Sequence, residues 1–128
     1  MRAILDTHVF LWWNTNDPRL SASIKKIIAD GRNELYLSAA SAWELAIKVA
    51  RGRLTLPAPP QEYVTDRLVL HSIQSLPITS RHALQVYALP EHHRDPFDRL
   101  LVAQAQLEGL PILTADPLLA QYEVSTIF

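Results

Sequence analysis

Three aspartates stand where the predicted secondary structure changes, so a folded chain could gather them into one site. Asp6 follows the apolar run Ala3-Ile4-Leu5, and Asp116 lies two residues beyond the run Ile112-Leu113-Thr114. Asp98 lies in the first turn of a predicted helix. Carboxylate oxygens suit Mg²⁺ or Mn²⁺, ions that bind few protein groups and retain several waters. These residues therefore predict a site for a divalent metal ion.

The predicted helix 96–108 carries Asp98 on its apolar stripe. Leu101, Val102 and Ala105 follow Asp98 at i+3, i+4 and i+7, so the four side chains share one helix face. A charge at the end of a buried stripe is costly unless another group compensates it. The sequence leaves two compensating groups open, a metal ion and the positive end of the helix dipole.

Helix capping is the alternative role for these acids. Asp95 and Asp116 each precede a proline, which is favoured at the first position of a helix, so both have the chemistry of an N-cap. Asp6 also precedes a predicted helix and can cap it. We assign Asp95 to helix capping as an auxiliary acid, whereas capping and metal binding both stay open for Asp6 and Asp116.

Two further polar residues have an ordinary structural interpretation. Glu44 lies within a predicted helix, and Lys48 follows it at i+4 in the orientation that favours an ion pair, so the residues alone favour a solvated pair. Thr114 could bind a ligand or a neighbouring carboxylate, or it could be an ordinary strand threonine.

The composition predicts one domain spanning residues 1–128, and we expect a soluble, cytoplasmic protein. Hydrophobic residues make up 48% of the chain, enough for a core at this length. No apolar run approaches the ~20 residues of a membrane span, and the first apolar run is too short for a signal peptide. The absence of cysteine excludes disulfides and thiolate metal sites.

The charge balance bears on nucleic-acid binding. A formal net charge of −1 counts against a dedicated nucleic-acid-binding protein, which usually has a basic surplus. It does not exclude a nuclease, because metal-binding carboxylates lower the net charge while the rim of the site stays basic. Four arginines could contact phosphates, although a solvated surface is the default for any one of them; they are Arg51, Arg53, Arg94 and Arg99.

Short apolar runs alternate with helical patterns along the chain. Strands are predicted at residues 2–5, 35–37, 73–76, 111–114 and 123–128. Helices are predicted at residues 7–13, 21–29, 38–51, 61–70, 80–88 and 96–108, with a short one from 117. The alternation indicates an α/β domain with a mostly parallel central sheet. Ligands of such sheets bind beyond the C-terminal ends of the strands, where Asp6 and Asp116 are expected.

Other chemistries have weaker support. No histidine pair has zinc-site spacing, and neither a glycine-rich phosphate loop nor a G-x-S-x-G elbow is present. A phosphatase of the haloacid dehalogenase type needs a second aspartate two residues after the first, where this chain has His8. We assign His92 and His93 to a solvated loop.

Five motifs, in this order and spacing, resemble those of PIN-domain proteins, specifically the VapC-type toxin ribonucleases of toxin–antitoxin pairs. They are ILDTH at 4–8, SAWELAIK at 41–48, GRLTLP at 52–57, HRDPFDRLLVAQA at 93–105 and LTAD at 113–116. The resemblance covers essentially the whole chain. It implies a Rossmann-like α/β/α domain and a Mg²⁺-dependent endoribonuclease, with Mn²⁺ as a possible substitute.

The resemblance also assigns the site residues. The acidic residues of the family match four residues of this chain: Asp6, Glu44, Asp98 and Asp116. For Glu44 this replaces the interpretation as a solvated ion pair. Asp95 matches an additional acid of the subgroup with the DPFD pattern. Asp6 and Asp98 are then the expected direct metal ligands, and a metal-activated water would attack an RNA phosphodiester in line. We expect lesser substrate-binding roles for a second set: Thr7, Arg94, Arg99 and Thr114.

The resemblance implies partners as well. These are an RNA substrate, a cognate VapB-type antitoxin and a second copy of the chain, with no membrane and with DNA met only through the antitoxin. Two alternatives stay open, namely a catalytically silent RNA- or protein-binding module on the same fold, and a structural subunit whose acids are only helix caps. Neither the RNA target nor the number of metal ions follows from the sequence.

Overall fold

A five-stranded sheet, parallel throughout, forms the centre of the computed structural model, which describes residues 1–128. The strands are β1 (Arg2–Leu5), β2 (Glu34–Ser38), β3 (Gln74–Leu76), β4 (Ile112–Leu113) and β5 (Thr126–Ile127). Their order across the sheet is β3-β2-β1-β4-β5. The α/β fold with a parallel sheet, predicted from the alternating pattern, is confirmed.

Six α-helices and two 3₁₀ segments connect the strands. The helices are α1 (Thr7–Asn14), α2 (Ala22–Ala29), α3 (Ala39–Ala50), α4 (Pro60–Leu70), α5 (Ser80–Gln85) and α6 (Pro96–Glu108). The 3₁₀ segments are Val86–Ala88 and Pro117–Gln121. None of the helices is both long enough and apolar enough to cross a membrane.

The sheet is covered by a hydrophobic core on each face. Ala3 and Leu5 of β1 belong to one core, which also contains side chains of α1, α2 and α4. Ile4 belongs to the other core, where it lies among side chains of α6 such as Leu101 and Val102. Because successive residues of a strand point to opposite faces, the uninterrupted apolar run of β1 places it at the centre of an α/β/α sandwich.

The chain changes direction across the sheet between β1 and β4. It runs outward from β1 to β3 and then returns to place β4 on the other side of β1. Leu5 is in register with Leu113, and the Asp6 N–H donates to the Leu113 carbonyl at 3.0 Å. The residues just beyond these two strand ends therefore lie side by side at the switch point, where open parallel sheets bind their ligands.

Helix α6 begins and ends as its sequence predicts. The Asp95 carboxylate accepts the N–H groups of Phe97 and Asp98, and Pro96 occupies the first turn. Gly109 ends the helix with φ at 66°, a left-handed conformation that glycine adopts without strain. These two ends fix the first turn of α6, and with it Asp98, against the sheet.

Several element boundaries differ from the sequence prediction because of prolines. The predicted strand 111–114 is reduced to Ile112–Leu113, since Pro111, whose carbonyl accepts the Ile4 N–H, has no N–H to donate back to β1. The predicted helix 80–88 ends as a 3₁₀ turn because Pro90 holds Leu89 in an extended conformation, with ψ at 137°.

The packing of α6 gives a test of what holds the site in place. Leu101 is 2% exposed in the core beneath α6, whereas Val69 on α4 is 77% exposed. We expect Leu101→Ala to lower the free energy of unfolding by about 2–5 kcal/mol, because it leaves a cavity, and Val69→Ala to change it by less than about 0.5 kcal/mol. Urea unfolding of both variants measures this difference, and equal losses would contradict the proposed core.

Candidate active site

Four carboxylates meet at the switch point, each supplied by a different part of the chain. Asp6 follows β1, Asp116 follows β4, Asp98 lies in the first turn of α6, and Glu44 lies within α3. Asp6 and Glu44 are buried, while the Asp98 and Asp116 side chains are 23% and 33% exposed. This grouping buries several negative charges near one another, so neighbouring groups have to compensate them.

A threonine joins the acids that follow the two central strands. The buried Thr114 hydroxyl donates to Asp6 Oδ2 and accepts the Asp116 backbone N–H at 3.0 Å. The other Asp6 oxygen, Oδ1, accepts the Val9 N–H at 2.8 Å and caps α1. Asp6 is therefore both a helix cap and a member of the acidic group.

A second threonine holds Glu44. The Thr7 hydroxyl lies 2.7 Å from Glu44 Oε1 and 2.9 Å from the Ser41 hydroxyl. Because a carboxylate can only accept, Thr7 directs its proton to Glu44. Lys48 Nζ lies 2.7 Å from Glu44 Oε2, so the i+4 ion pair expected from the sequence is present. The pair is not solvated as expected, because the Glu44 side chain is only 5% exposed.

His93 is a member of the site that the sequence interpretation missed. Its Nε2 lies 3.1 Å from Asp98 Oδ2 and 2.9 Å from Asp116 Oδ2. Its Nδ1 accepts the Asp95 backbone N–H at 3.0 Å, so the ring proton lies on Nε2, between the two carboxylates. The assignment of His93 to a solvated loop is wrong, since its side chain is 14% exposed. The sequence feature that could have indicated this role is the position of His93 two residues before Asp95, the N-cap of α6.

The raised pKa values of two acids reflect this crowding. Burial, followed by the neighbouring Asp95 carboxylate, raises the pKa of Asp98 from 3.8 to about 7, and the charges of Glu44 and Asp6 act in the same direction. Burial is also the largest cause that raises the pKa of Asp6. Both shifts show that the charged forms lack full compensation from the protein alone.

The residues expected to bind substrate occupy different positions. Thr7 and Thr114 are buried, and their hydroxyls bond carboxylates, so they position the acids and do not face a substrate. Arg99 donates to the carbonyls of Pro90 and Leu89 and to the Tyr122 hydroxyl, which ties it to the preceding loop. The structure therefore gives all three residues an intramolecular role, and the substrate contacts expected of them stay predictions.

Two residues of the α6 start keep their expected positions. Arg94 is exposed beside the acids and makes no hydrogen bond or ion pair, so it is free to meet a substrate. Asp95 caps α6 through Oδ1, as the Asp-Pro sequence predicts.

The donor set fits a divalent metal ion. One atom each of His93, Asp98 and Asp116 lies within 4.8 Å of the other two. With its proton on Nε2, His93 holds the two carboxylates together, and their oxygens are the candidate metal donors. Asp6 is linked to Asp116 through Thr114, so a third carboxylate lies beside them. Oxygen-rich groups with uncompensated negative charge are what Mg²⁺ and Mn²⁺ require.

Comparison of the sequence with known proteins identifies relatives. The sequence profile of the PIN domain family matches residues 3–124. The chain is 33% identical over 114 residues to Ribonuclease VapC22 of Mycobacterium tuberculosis, a match that covers 88% of this chain and 85% of that protein. It is 47% identical over 55 residues to Ribonuclease VapC16 of the same organism, covering 40% and 39% of the two chains.

Solved structures share the fold. A chain of VapBC2 from Rickettsia felis, crystallised with a DNA fragment from its promoter, superposes with a TM-score of 0.72 at 13% identity, covering 99% of this chain and 98% of that one. A chain of FitAcB from Neisseria gonorrhoeae superposes with a TM-score of 0.65 at 23% identity, covering 100% and 97%. Identities this low establish the shared fold and nothing finer.

The pKa of Asp98 predicts how the stability of the metal-free protein depends on pH. Between pH 4 and pH 7 the folded chain holds a proton on Asp98 that the unfolded chain releases, so the free energy of unfolding falls as the pH rises. We expect Asp98→Asn to be more stable than the wild type by up to about 4 kcal/mol at pH 8, because each pKa unit corresponds to about 1.4 kcal/mol. This gain should disappear near pH 4.

Urea unfolding in EDTA at both pH values measures this gain. Asp66→Asn is the matched control, because Asp66 is an exposed acid on α4 and should show no gain at either pH. An Asp98→Asn protein that is no more stable than the wild type at pH 8 would contradict the raised pKa of Asp98.

Proposed function

The chain belongs to the PIN domain family, and from this we propose that it is a metal-dependent endoribonuclease, the toxin of a VapBC-type toxin–antitoxin pair. The observation that carries the proposal is the acidic group at the switch point, where four carboxylates come together with incomplete compensation of their charge. The relatives named as ribonucleases support RNA as the substrate.

The chemistry of phosphodiester hydrolysis suits this donor set. A divalent cation bound here would lower the pKa of a water molecule that it binds. It would also offset negative charge on the phosphoryl oxygens. We propose Mg²⁺ as that cation, since the donors are mainly carboxylate oxygens and the site keeps room for water at its partly exposed acids. Asp6 and Asp98 are the proposed direct ligands, while Glu44 and Asp116 complete the acidic pocket.

The surrounding residues keep those acids in place. Thr114 fixes Asp6, and Thr7 with Lys48 fixes Glu44, so the two buried carboxylates have little rotational freedom. His93 keeps Asp98 and Asp116 directed at one point. This positioning lets the site receive the reacting phosphate without rearranging, which is the main contribution a protein makes to such a reaction.

The proposed partners follow from the relatives. Complexes named VapBC among the structures that share the fold support a VapB-type antitoxin as the partner that inhibits this chain. We also propose a homodimer, since Leu84 and Tyr87 are large apolar side chains that are 75% and 97% exposed and suit an interface. DNA would be met only through the antitoxin.

Cleavage of RNA by the purified chain tests the proposed function. We expect Mg²⁺-dependent cleavage by the wild type and a loss of more than about a hundredfold in Asp6→Ala and Asp98→Asn, because even outer partners of metal ligands cost 10–100-fold. Asp66→Asn, an exposed acid on α4, is the matched control and should cleave normally. Wild-type rates in the folded Asp6 or Asp98 variant would contradict the assignment of these acids. A folded wild-type chain that does not cleave RNA would favour the alternative of a silent binding module.

The two acids at the start of α6 should differ in their contribution. Asp95 caps the helix, and asparagine also caps, so Asp95→Asn should keep most of the cleavage rate and the melting temperature. Asp98→Asn should lose cleavage. If cleavage kinetics showed an equally deep loss for Asp95→Asn in a folded protein, Asp95 would belong to the catalytic group.

A further inference from the structure

A cleft beside the acidic site contains two arginines to which the proposed function gives no role. It has a volume of about 240 Å³ and lies between the end of α3 and the start of α6. Lys48, Arg51 and Arg53 line one side, and Asp95, Pro96 and Phe97 line the other. We call this feature the basic cleft. Glu44 lines it as well, so the basic cleft is continuous with the acidic site.

The backbone at the end of α3 brings the two arginines to the same cleft. The Arg53 N–H donates to the Lys48 carbonyl at 2.9 Å, and the Gly52 N–H donates to the Val49 carbonyl at 3.1 Å. These two bonds form a Schellman motif, and Gly52 adopts the left-handed φ of 70° that the motif requires. The turn therefore fixes the backbone from which Arg51 and Arg53 extend.

The charges of these arginines are not used inside the protein. Arg19 and Arg32 each form two-point ion pairs with an aspartate two residues away. Arg51 and Arg53 are exposed and make no hydrogen bond or ion pair. In the same cleft Lys48 is paired with Glu44, and Asp95 caps α6 with its carboxylate. Three cations against two acids leave the cleft with one net positive charge, and neither arginine is bound to an acid.

An anionic substrate needs such charges at this place. The four carboxylates at the switch point repel phosphate, so a nucleic-acid strand can approach only if cations next to the acids offset that repulsion. Arginine presents a planar group that binds phosphate oxygens at two points. The RNA backbone on either side of the cleaved bond carries a phosphate at every nucleotide, which suits two arginines in a cleft that Glu44 also lines.

We propose that Arg51 and Arg53 bind phosphates of the RNA strand next to the bond that is cleaved, which makes the basic cleft a substrate subsite. This proposal rests on the proposed ribonuclease function. The arginines act on the strand and not on the reacting phosphorus, so they position the substrate. Their removal should raise KM more than it lowers kcat.

The salt dependence of RNA binding tests the proposal without relying on cleavage. The probe is a fluorescein-labelled single-stranded RNA of about 12 nucleotides, held intact with EDTA and checked on a gel. Each phosphate contact on a single strand contributes about 0.7 to the slope of log K against log salt. The double variant Arg51→Gln, Arg53→Gln should therefore lose about 1.4 of that slope.

Matched variants separate this role from a general effect of charge. Lys25→Gln with Lys26→Gln removes the same charge from α2, outside the basic cleft, and should keep the wild-type slope. Arg51→Lys with Arg53→Lys keeps the charge and should restore most of the slope. A role limited to neutralising the α3 dipole predicts a lower melting temperature for the arginine variant with no change in slope.

Several results would overturn the proposal. One is a slope in the arginine variant equal to that of the lysine control. Another is an unchanged RNA slope together with lost affinity for polyglutamate, which would assign the basic cleft to an acidic peptide. Failure of the proposed ribonuclease function would look different. If the chain never cleaves RNA but the arginine variant still lowers the salt slope of RNA binding, the ribonuclease function is refuted and the RNA-binding role of the basic cleft stands.

Discussion

The burial and close approach of four carboxylates is the constraint on which the rest of the site depends. The carboxyl ends of β1 and β4 lie side by side at the switch point, and the acids that follow them are joined there by Asp98 and Glu44. The protein alone does not offset this charge, since burial and a neighbouring acid raise the pKa of Asp98 to about 7. Such a site is more stable with a divalent cation bound than with its carboxylates ionised and no cation present.

The fold lowers the cost of burying these charges, because the two oxygens of a carboxylate form different hydrogen bonds. Asp6 caps α1 with Oδ1 and accepts a hydrogen bond from the Thr114 hydroxyl on Oδ2. Asp116 caps its 3₁₀ turn with Oδ1 and directs Oδ2 at His93. Capping and metal binding are thus not alternatives for these acids, because one oxygen serves the helix while the other faces the site. The basic cleft adds positive charge on the route by which an anionic strand would approach.

The sequence predicted the parts that depend on local pattern. Apolar alternation gave the α/β sheet, and the Asp-Pro pairs located the caps at Asp95 and Asp116, because both follow from nearby residues. It could not locate His93 or the burial of Glu44, since those depend on which helices meet over the sheet. Arg99 shows the same limit, because its role is set by carbonyls of a loop whose path is a tertiary property.

Calorimetric titration of the metal-free chain with Mn²⁺, in buffers of different ionisation enthalpy, tests the central claim most directly. A cation that binds these acids must displace the proton that Asp98 holds below its pKa of about 7. We predict saturable binding that releases close to one proton per ion near pH 6, with the release falling towards zero near pH 8.5. Absence of saturable binding, or binding with no proton release at pH 6, would contradict the account.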